Sequence, residues 1–458
     1  MSNATDNLDT RAWQEMDRRH HFHPFTDHKS LHRKGSCVIT RADGVYLWDS
    51  EGRKILDGMA GLWCVNVGYG RRELADAAHA QMLRLPYYNT FFQTTHPPVT
   101  ELARRLSEIA PARLNHVFFT NSGSEANDTV VRMARHYWAV RGQPERRIII
   151  SRDNAYHGST MAGASLGGMG VMHAQGGLPI PGIEHIAEPY WYKHGGTRSA
   201  EAFGRDCARA LERKIDELGA ARVAAFIAEP IQGAGGVIVP PSSYWPEIAR
   251  ICREREILLV VDEVICGFGR TGKWFGSDYY GLEPDLMPIA KGLSSGYLPI
   301  GGVMVANRVA EALIGDGGEF FHGFTYSGHP AACAVALENL RILCDERLVE
   351  RVEQDIGPYF QDRLRELLDH PLVGEIRGVG LIAAIQLTAD KSTRKLFEPV
   401  GAAGNRCRDH CFDNGLVMRA VEDSMVISPP LIIRHAEVDE LLDKARAALD
   451  RTAGDLRI

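Results

Sequence analysis

The sequence predicts an α/β protein, with a large domain built on a mostly parallel sheet and a smaller α+β domain. Two observations carry that expectation. Between Asn115 and Ala306, short apolar runs alternate with amphipathic helical stretches, the pattern of a mostly parallel sheet covered on both faces. After Pro330 the alternation stops, and long helical stretches surround two short apolar runs.

In chain order, an N-terminal arm leads to strands at Gly44–Trp48 and Lys54–Asp57. The alternating region supplies strands at His116–Thr120, Arg147–Ser151, Val223–Ala228, Ile257–Val261, Leu286–Ile289 and Gly302–Val305. Between them fall helices such as Ser124–Arg141, Ala200–Leu218 and Trp245–Glu254. A helix over Ala331–Asp345 then runs on toward Arg351, followed by a charged helical stretch, Glu353–Leu368. Strand-like runs at Gly380–Leu387 and Leu416–Ala420 flank a helix over Gly404–Asn414, and Glu437–Arg451 closes the chain. The expected division is residues 1–75 as an arm plus part of the small domain, 76–335 as the large domain, and 336–458 as the rest of the small domain.

Composition excludes several function classes. The 458 residues are 45% hydrophobic and 24% charged, an ordinary globular balance. Net charge is −6 with the basic residues scattered, which argues against nucleic acid or an anionic membrane surface as partner. No apolar run approaches the roughly 18 residues of a membrane span, and Met1–Arg19 is too polar for a secretory signal. The nine scattered cysteines fit reduced thiols and a cytoplasmic protein. No metal is expected: Cys407 and Cys411 share a helix face by geometry alone, and neither they nor His20-His-Phe-His23 have further ligands at suitable spacing.

Chemistry concentrates where the strands end. Asp262 terminates the apolar run Ile257-Leu-Leu-Val-Val, and Lys291 follows Leu286-Met-Pro-Ile-Ala. Lys is almost never buried without a partner, and a lone Asp poses the same problem with opposite sign. Pyridoxal phosphate (PLP) satisfies both, its aldehyde taking the amine and its protonated ring nitrogen taking the acid. A buried Lys–Asp ion pair would satisfy them as well.

The neighbouring motifs bear on that choice. In Thr120-Asn-Ser-Gly-Ser-Glu-Ala-Asn-Asp128, Gly123 frees the turn and Ser124 opens a helix with a capping hydroxyl, which is a phosphate cradle or a plain N-cap. Tyr156, in Ala155-Tyr-His-Gly158, could lie flat on a planar cofactor or pack with His157 in a core. Glu229 ends another apolar strand, placed to hydrogen-bond a ring or to close a loop. Together Ser124, Tyr156, Glu229, Asp262 and Lys291 fall on the ends of successive strands, where ligands of α/β sheets collect. Gly267-Phe-Gly-Arg-Thr-Gly-Lys273 imitates two nucleotide motifs, yet Trp274 follows instead of Ser or Thr, and no good helix sequence succeeds it.

These segments resemble the class III PLP-dependent aminotransferases of fold type I over nearly the whole chain. Asn121-Ser-Gly-Ser-Glu-Ala, Tyr156-His-Gly, Glu229-Pro, Asp262-Glu-Val, Lys291-Gly and Phe324-Thr-Tyr-Ser-Gly-His-Pro330 carry the likeness. Within the class, His23-Pro-Phe-Thr-Asp27, Asp57-Gly-Met-Ala-Gly-Leu-Trp-Cys-Val-Asn66, Tyr88-Asn-Thr-Phe-Phe92 and Val417-Met-Arg-Ala420 resemble the ω-amine:pyruvate and putrescine:pyruvate transaminases.

The resemblance implies a seven-stranded central sheet and a PLP cofactor joined to Lys291, with Asp262 on the pyridine nitrogen. It further implies that Ser122, Gly123 and Ser124 hold the phosphate, Tyr156 stacks on the ring beside His157 and Glu229, and Val264 presses on the opposite face. Phe324 and Thr325 would reach the phosphate of a second subunit, giving a homodimer with shared sites or a tetramer built from it. Phe25, Trp63, Phe91 and Tyr156 would wall the substrate pocket, and Arg419 would bind a substrate carboxylate and swing aside for other amines. The implied reaction is ping-pong transfer from a primary amine, an arylalkylamine or a diamine such as putrescine to pyruvate. Rival readings are an aminotransferase for β-alanine, 4-aminobutyrate or taurine, and an aminomutase.

Overall fold

A computed structural model describes residues 9–111 and 113–458. Residues 1–8, part of the N-terminal segment assigned above, lie outside the described residues. The central sheet has seven strands in the spatial order Leu114–Thr120, Gly301–Ala306, Leu286–Ile289, Leu258–Val261, Val223–Ala228, Ile148–Arg152 and Ile183–Ile186. Gly301–Ala306 runs antiparallel to both neighbours, and the remaining pairings are parallel.

The sheet forms because its strands can be buried on both faces. In Val223–Ala228 and Leu258–Val261 every residue is buried, as expected for parallel strands between helix layers. Side chains alternate between two cores. Ala225, Ile227, Leu258 and Val260 pack with the helix Gly123–Val140. Phe226, Ala228, Leu259 and Val261 pack with Ala200–Leu218 and Tyr244–Glu254. Each such large side chain contributes about 1.5–3 kcal/mol by leaving water.

The edge strand Ile183–Ile186 is absent from the sequence reading. Glu184 and His185 interrupt its apolar run at a half-buried sheet edge, so neither strand pattern shows. It falls between the Tyr156 and Glu229 strands in sequence but at the far edge in space, so the functional strand ends still share one edge.

A second sheet joins the two chain ends. Ile39–Asp43, Tyr46–Asp49 and Lys54–Asp57 form an antiparallel ribbon, and Leu416–Val417 adds to Lys54–Asp57 in parallel. A third, antiparallel sheet contains Val373–Val379, Ile382–Leu387, Ser424–Ile427 and Arg419–Val421. The run Leu416–Ala420, expected as one strand, is therefore split at Met418 between two sheets. Arg419 is the first residue after the switch. The strands Ile39–Asp43, Val373–Val379 and Ser424–Ile427 were also missed, and the stretch from Glu353 begins as a π-helical turn over Val352–Ile356.

The Gly267–Lys273 loop is anchored within the protein by its own side chains. Its Arg270 is fully buried and donates to the Leu381 carbonyl at 3.1 Å, the Pro429 carbonyl and Asn66 Oδ1 at 2.8 Å, tying the loop to the third sheet. The short helix that follows, Gly276–Tyr280, has its N-terminus filled by the Glu263 carboxylate, which accepts from Gly276 N at 2.8 Å and Ser277 N at 2.5 Å. No helix is long and apolar enough to cross a membrane among the described residues.

Candidate active site

Asp262 is buried at the end of its strand and is held on three sides. Oδ2 accepts from His157 Nδ1 at 2.7 Å and Asn127 Nδ2 at 2.8 Å, while Oδ1 accepts from Val264 N at 3.0 Å. Burial pushes the carboxyl upward in pKa, but the His157, Asn127 and Val264 hydrogen bonds outweigh it and hold Asp262 below the ordinary Asp value. His157 Nε2 and Asn127 Oδ1 are buried without a partner.

Lys291 lies just past the adjacent strand with φ +46°, in the left-handed region. That conformation costs a non-glycine residue roughly 1–2 kcal/mol, so surrounding contacts must enforce it. Asn339 does so, donating to the Gly292 and Leu293 carbonyls at 2.9 and 3.0 Å while its Oδ1 accepts from Ser295 Oγ at 2.6 Å. Burial pulls the amine below the ordinary Lys value, opposed by Cys64, Asp262 and Glu229 and reinforced by Arg419. Asp262 forms its ion pair with His157 and not with Lys291, yet both residues line one cavity.

That cavity, about 320 Å³, is also walled by Ser122–Ser124, Tyr156, Glu229 and Val264. Its volume is at the small end of ordinary ligand sites, roughly 300–1,000 Å³. The helix Gly123–Val140 begins there, and its first-turn amides have no acceptor within the helix. Two glycines keep the cradle open. A Cβ on Gly123 would lie 2.9 Å from Val264 Cγ1, and one on Gly158 would lie 2.6 Å from Ser124 Oγ. The features fit PLP: an anion cradle at a helix start, an amine, and a carboxylate with one oxygen turned from its supporting pair.

Some expectations change. Ser122, not Ser124, caps the helix, its Oγ accepting from Glu125 N at 3.2 Å. Ser124 is in the first turn and accepts from Ser159 N at 3.1 Å. Glu229 closes a loop, accepting from Tyr156 N at 3.2 Å and Gly233 N at 2.9 Å, and reaches the cavity as well. Burial pushes its carboxyl upward. Asn127 was inside a recognised motif but received no role. Only the fold shows that it faces the Asp262 strand. Cys64, within the Asp57–Asn66 motif, and the Leu298–Ile300 loop, which carries no signal in the sequence, also line the cavity.

The rim is looser than the floor. Phe25 is 73% exposed and meets Tyr156 edge-on at 6.3 Å. Trp63 is buried, and the Arg419 guanidinium lies 5.3 Å from its ring centre. Burial pulls Arg419 below its ordinary value, with Tyr156 opposing. Of the expected pocket residues only Tyr156 lines the cavity; Phe25, Trp63, Phe91, Phe324, Thr325 and Arg419 do not line the cavity of their own chain. Phe91 packs against Gly323, and the Thr325 carbonyl accepts from Tyr87 Oη at 2.7 Å.

Comparison with known proteins follows the same geometry. Residues 28–449 match the model of the family described as Aminotransferase class-III. The chain is 62% identical, over 99% of each chain, to a putrescine–pyruvate aminotransferase of Pseudomonas aeruginosa. It is 43% identical to the mitochondrial gamma aminobutyrate transaminase 1 of Solanum lycopersicum, over 91% of this chain and 81% of that one. Among solved structures, an (S)-enantioselective omega-transaminase from Thermomicrobium roseum superposes with a TM-score of 0.94 at 45% identity, covering 97% of this chain and 99% of that one. The chain thus belongs to the class III aminotransferases, which are PLP-dependent.

Proposed function

We propose that this enzyme transfers the amino group of a primary amine, with putrescine as the reference donor, to pyruvate by a ping-pong mechanism. One observation carries the reading: Lys291 and Asp262 end adjacent strands, face one cavity and are not paired to each other. The 62% identity to a putrescine–pyruvate aminotransferase supports this donor and acceptor over 4-aminobutyrate, whose transaminase is 43% identical.

Bound PLP supplies an electrophilic carbon for the amine and an electron-accepting ring. In our reading Ser122, Gly123 and Ser124 hold its phosphate on the helix start. Tyr156 would cover one ring face, with His157 and Glu229 at its border, and Val264 would support the other face. Asp262, kept ionised by His157 and Asn127, holds the proton on the ring nitrogen. Lys291 would hold the cofactor and would serve as the base that moves the proton from the donor carbon. Its lowered pKa favours the neutral base that this step needs. Phe25, Trp63, Phe91 and Tyr156 wall the substrate space. Arg419 pairs bidentately with the pyruvate carboxylate and rests over Trp63 when an amine without a carboxylate binds.

We further assign residues 76–335 as the cofactor domain, with 1–75 and 336–458 as the smaller domain, and the cytoplasm as its compartment. A second copy would complete the site, since Phe324 and Thr325 do not line the cavity of their own chain. The exposed Leu83, Phe92 and Phe321, at 76%, 89% and 77%, support such an interface. Sedimentation of the holoenzyme should give a dimer or a multiple of it; a monomer would refute the shared site.

A donor panel of putrescine, cadaverine, β-alanine, 4-aminobutyrate and 1-phenylethylamine with pyruvate tests the function. Putrescine should lead. Without keto acid, the holoenzyme should release one equivalent of carbonyl product per site and stop. Preference for 4-aminobutyrate, or rearrangement of the amine without an acceptor, would overturn the proposal.

A further inference from the structure

Away from the cofactor cavity, three side chains of the N-terminal arm converge with the donor set of a transition-metal site. The helix Thr10–His20 ends as His21 leaves helical geometry, its N–H still bonded to the Asp17 carbonyl. That turn swings two imidazoles onto one carboxylate. His21 Nδ1 lies 3.0 Å from Asp17 Oδ1, and His23 Nε2 lies 2.8 and 2.9 Å from Oδ1 and Oδ2. The two rings are 4.0 Å apart, centre to centre, and the three ligand atoms lie within 4.8 Å of one another. In the sequence, His20–His23 lacks a further ligand; the fold supplies it from the preceding helical turn.

We propose that Asp17, His21 and His23 bind a divalent first-row transition ion, with zinc as its representative. Two imidazole nitrogens and one carboxylate suit zinc, nickel or copper, whereas magnesium and calcium favour oxygen ligands throughout. Tetrahedral bonds of about 2.0–2.1 Å separate neighbouring ligands by about 3.3 Å. The two separations onto Asp17 need open by only a few tenths of an ångström, and the two imidazole nitrogens, within 4.8 Å of each other, need close toward the same value. Side-chain exposures of 20% for Asp17, 59% for His21 and 22% for His23 leave solvent access for the ion and for water as a fourth ligand. The site lies two residues before Phe25, so a bound ion would fasten the turn that brings Phe25 to within 6.3 Å of Tyr156, ring centre to ring centre.

The test uses tag-free, full-length holoenzyme and zinc in competition with a chromophoric chelator. Wild type should hold one more zinc ion per chain than the His21→Ala/His23→Ala variant, and excess magnesium should not displace it. Asp17→Asn, which keeps the side-chain shape, should weaken that zinc at least tenfold. A zinc-soaked crystal should give an anomalous peak between the three side chains. Equal zinc stoichiometry in wild type and the double variant, unchanged affinity in Asp17→Asn, or no anomalous peak at Asp17 would each overturn the proposal.

Discussion

The floor and the rim of this site are built on different principles. On the floor, Asp262 is fixed by His157, Asn127 and the Val264 amide, and Lys291 is clamped in a strained conformation by Asn339. On the proposed rim, Phe25 stands largely in solvent, and the Arg419 guanidinium lies 5.3 Å from the Trp63 ring centre. In the proposed reaction the floor is preorganised for chemistry shared by every substrate. The rim belongs to an arm and to a strand that changes sheets, and selectivity there can vary without disturbing the chemistry.

Substitutions at the two levels should therefore differ in kind. The largest effect is expected for Lys291→Ala: turnover should fall by 10²–10⁴-fold or more, the range general-base groups contribute, and the visible band of the lysine-bound cofactor should disappear. Retained turnover with any donor would break the distinction at its root. Asp262→Asn should lower kcat by about 10²–10³-fold, as for loss of a preorganised electrostatic partner, and equally for every amine. Donor-dependent losses would move Asp262 from floor to rim.

At the rim, Arg419→Ala should raise KM for pyruvate by about 10- to 100-fold, from the roughly 1.5–3 kcal/mol of a charged hydrogen bond. The KM for 1-phenylethylamine should change far less. Equal losses for both substrates would sink the carboxylate assignment.

The smallest effect is a pH dependence of the apoprotein. The native Lys291 pKa is below its ordinary 10.5, so the unfolded chain binds more protons and this residue's contribution to stability rises with pH. Relative to Lys291→Met, wild-type apoprotein should gain stability as pH climbs from the depressed native value toward 10.5, and lose it as pH falls back. Denaturant unfolding at several pH values reads this directly. A constant difference would mean that Lys291 is not desolvated.

How much of this was legible depended on whether the signal was local. The strands Val223–Ala228 and Leu286–Ile289 stand where the apolar runs place them, because burial on both faces writes itself into consecutive residues. Ile183–Ile186 was invisible, since an edge strand can carry Glu184 and His185. Ser124 looked like the helix cap because it follows the glycine. The backbone enters the helix one residue earlier, at Gly123, and Ser122 takes that role.

The sequence by itself determined the fold class and placed Lys291 and Asp262 at the ends of buried strands, because each is a short-range pattern of burial and charge. Tertiary structure decided that these two charges do not neutralise each other. Asp262 finds His157 and Asn127, residues far away along the chain, and those bonds keep it charged while leaving cavity between it and the lysine. Tertiary structure likewise split Leu416–Ala420 between two sheets at Met418 and set Arg419 over Trp63. Pairing partners belong to the packed molecule, where burial and hydrogen-bond satisfaction select among alternatives that the sequence leaves equal.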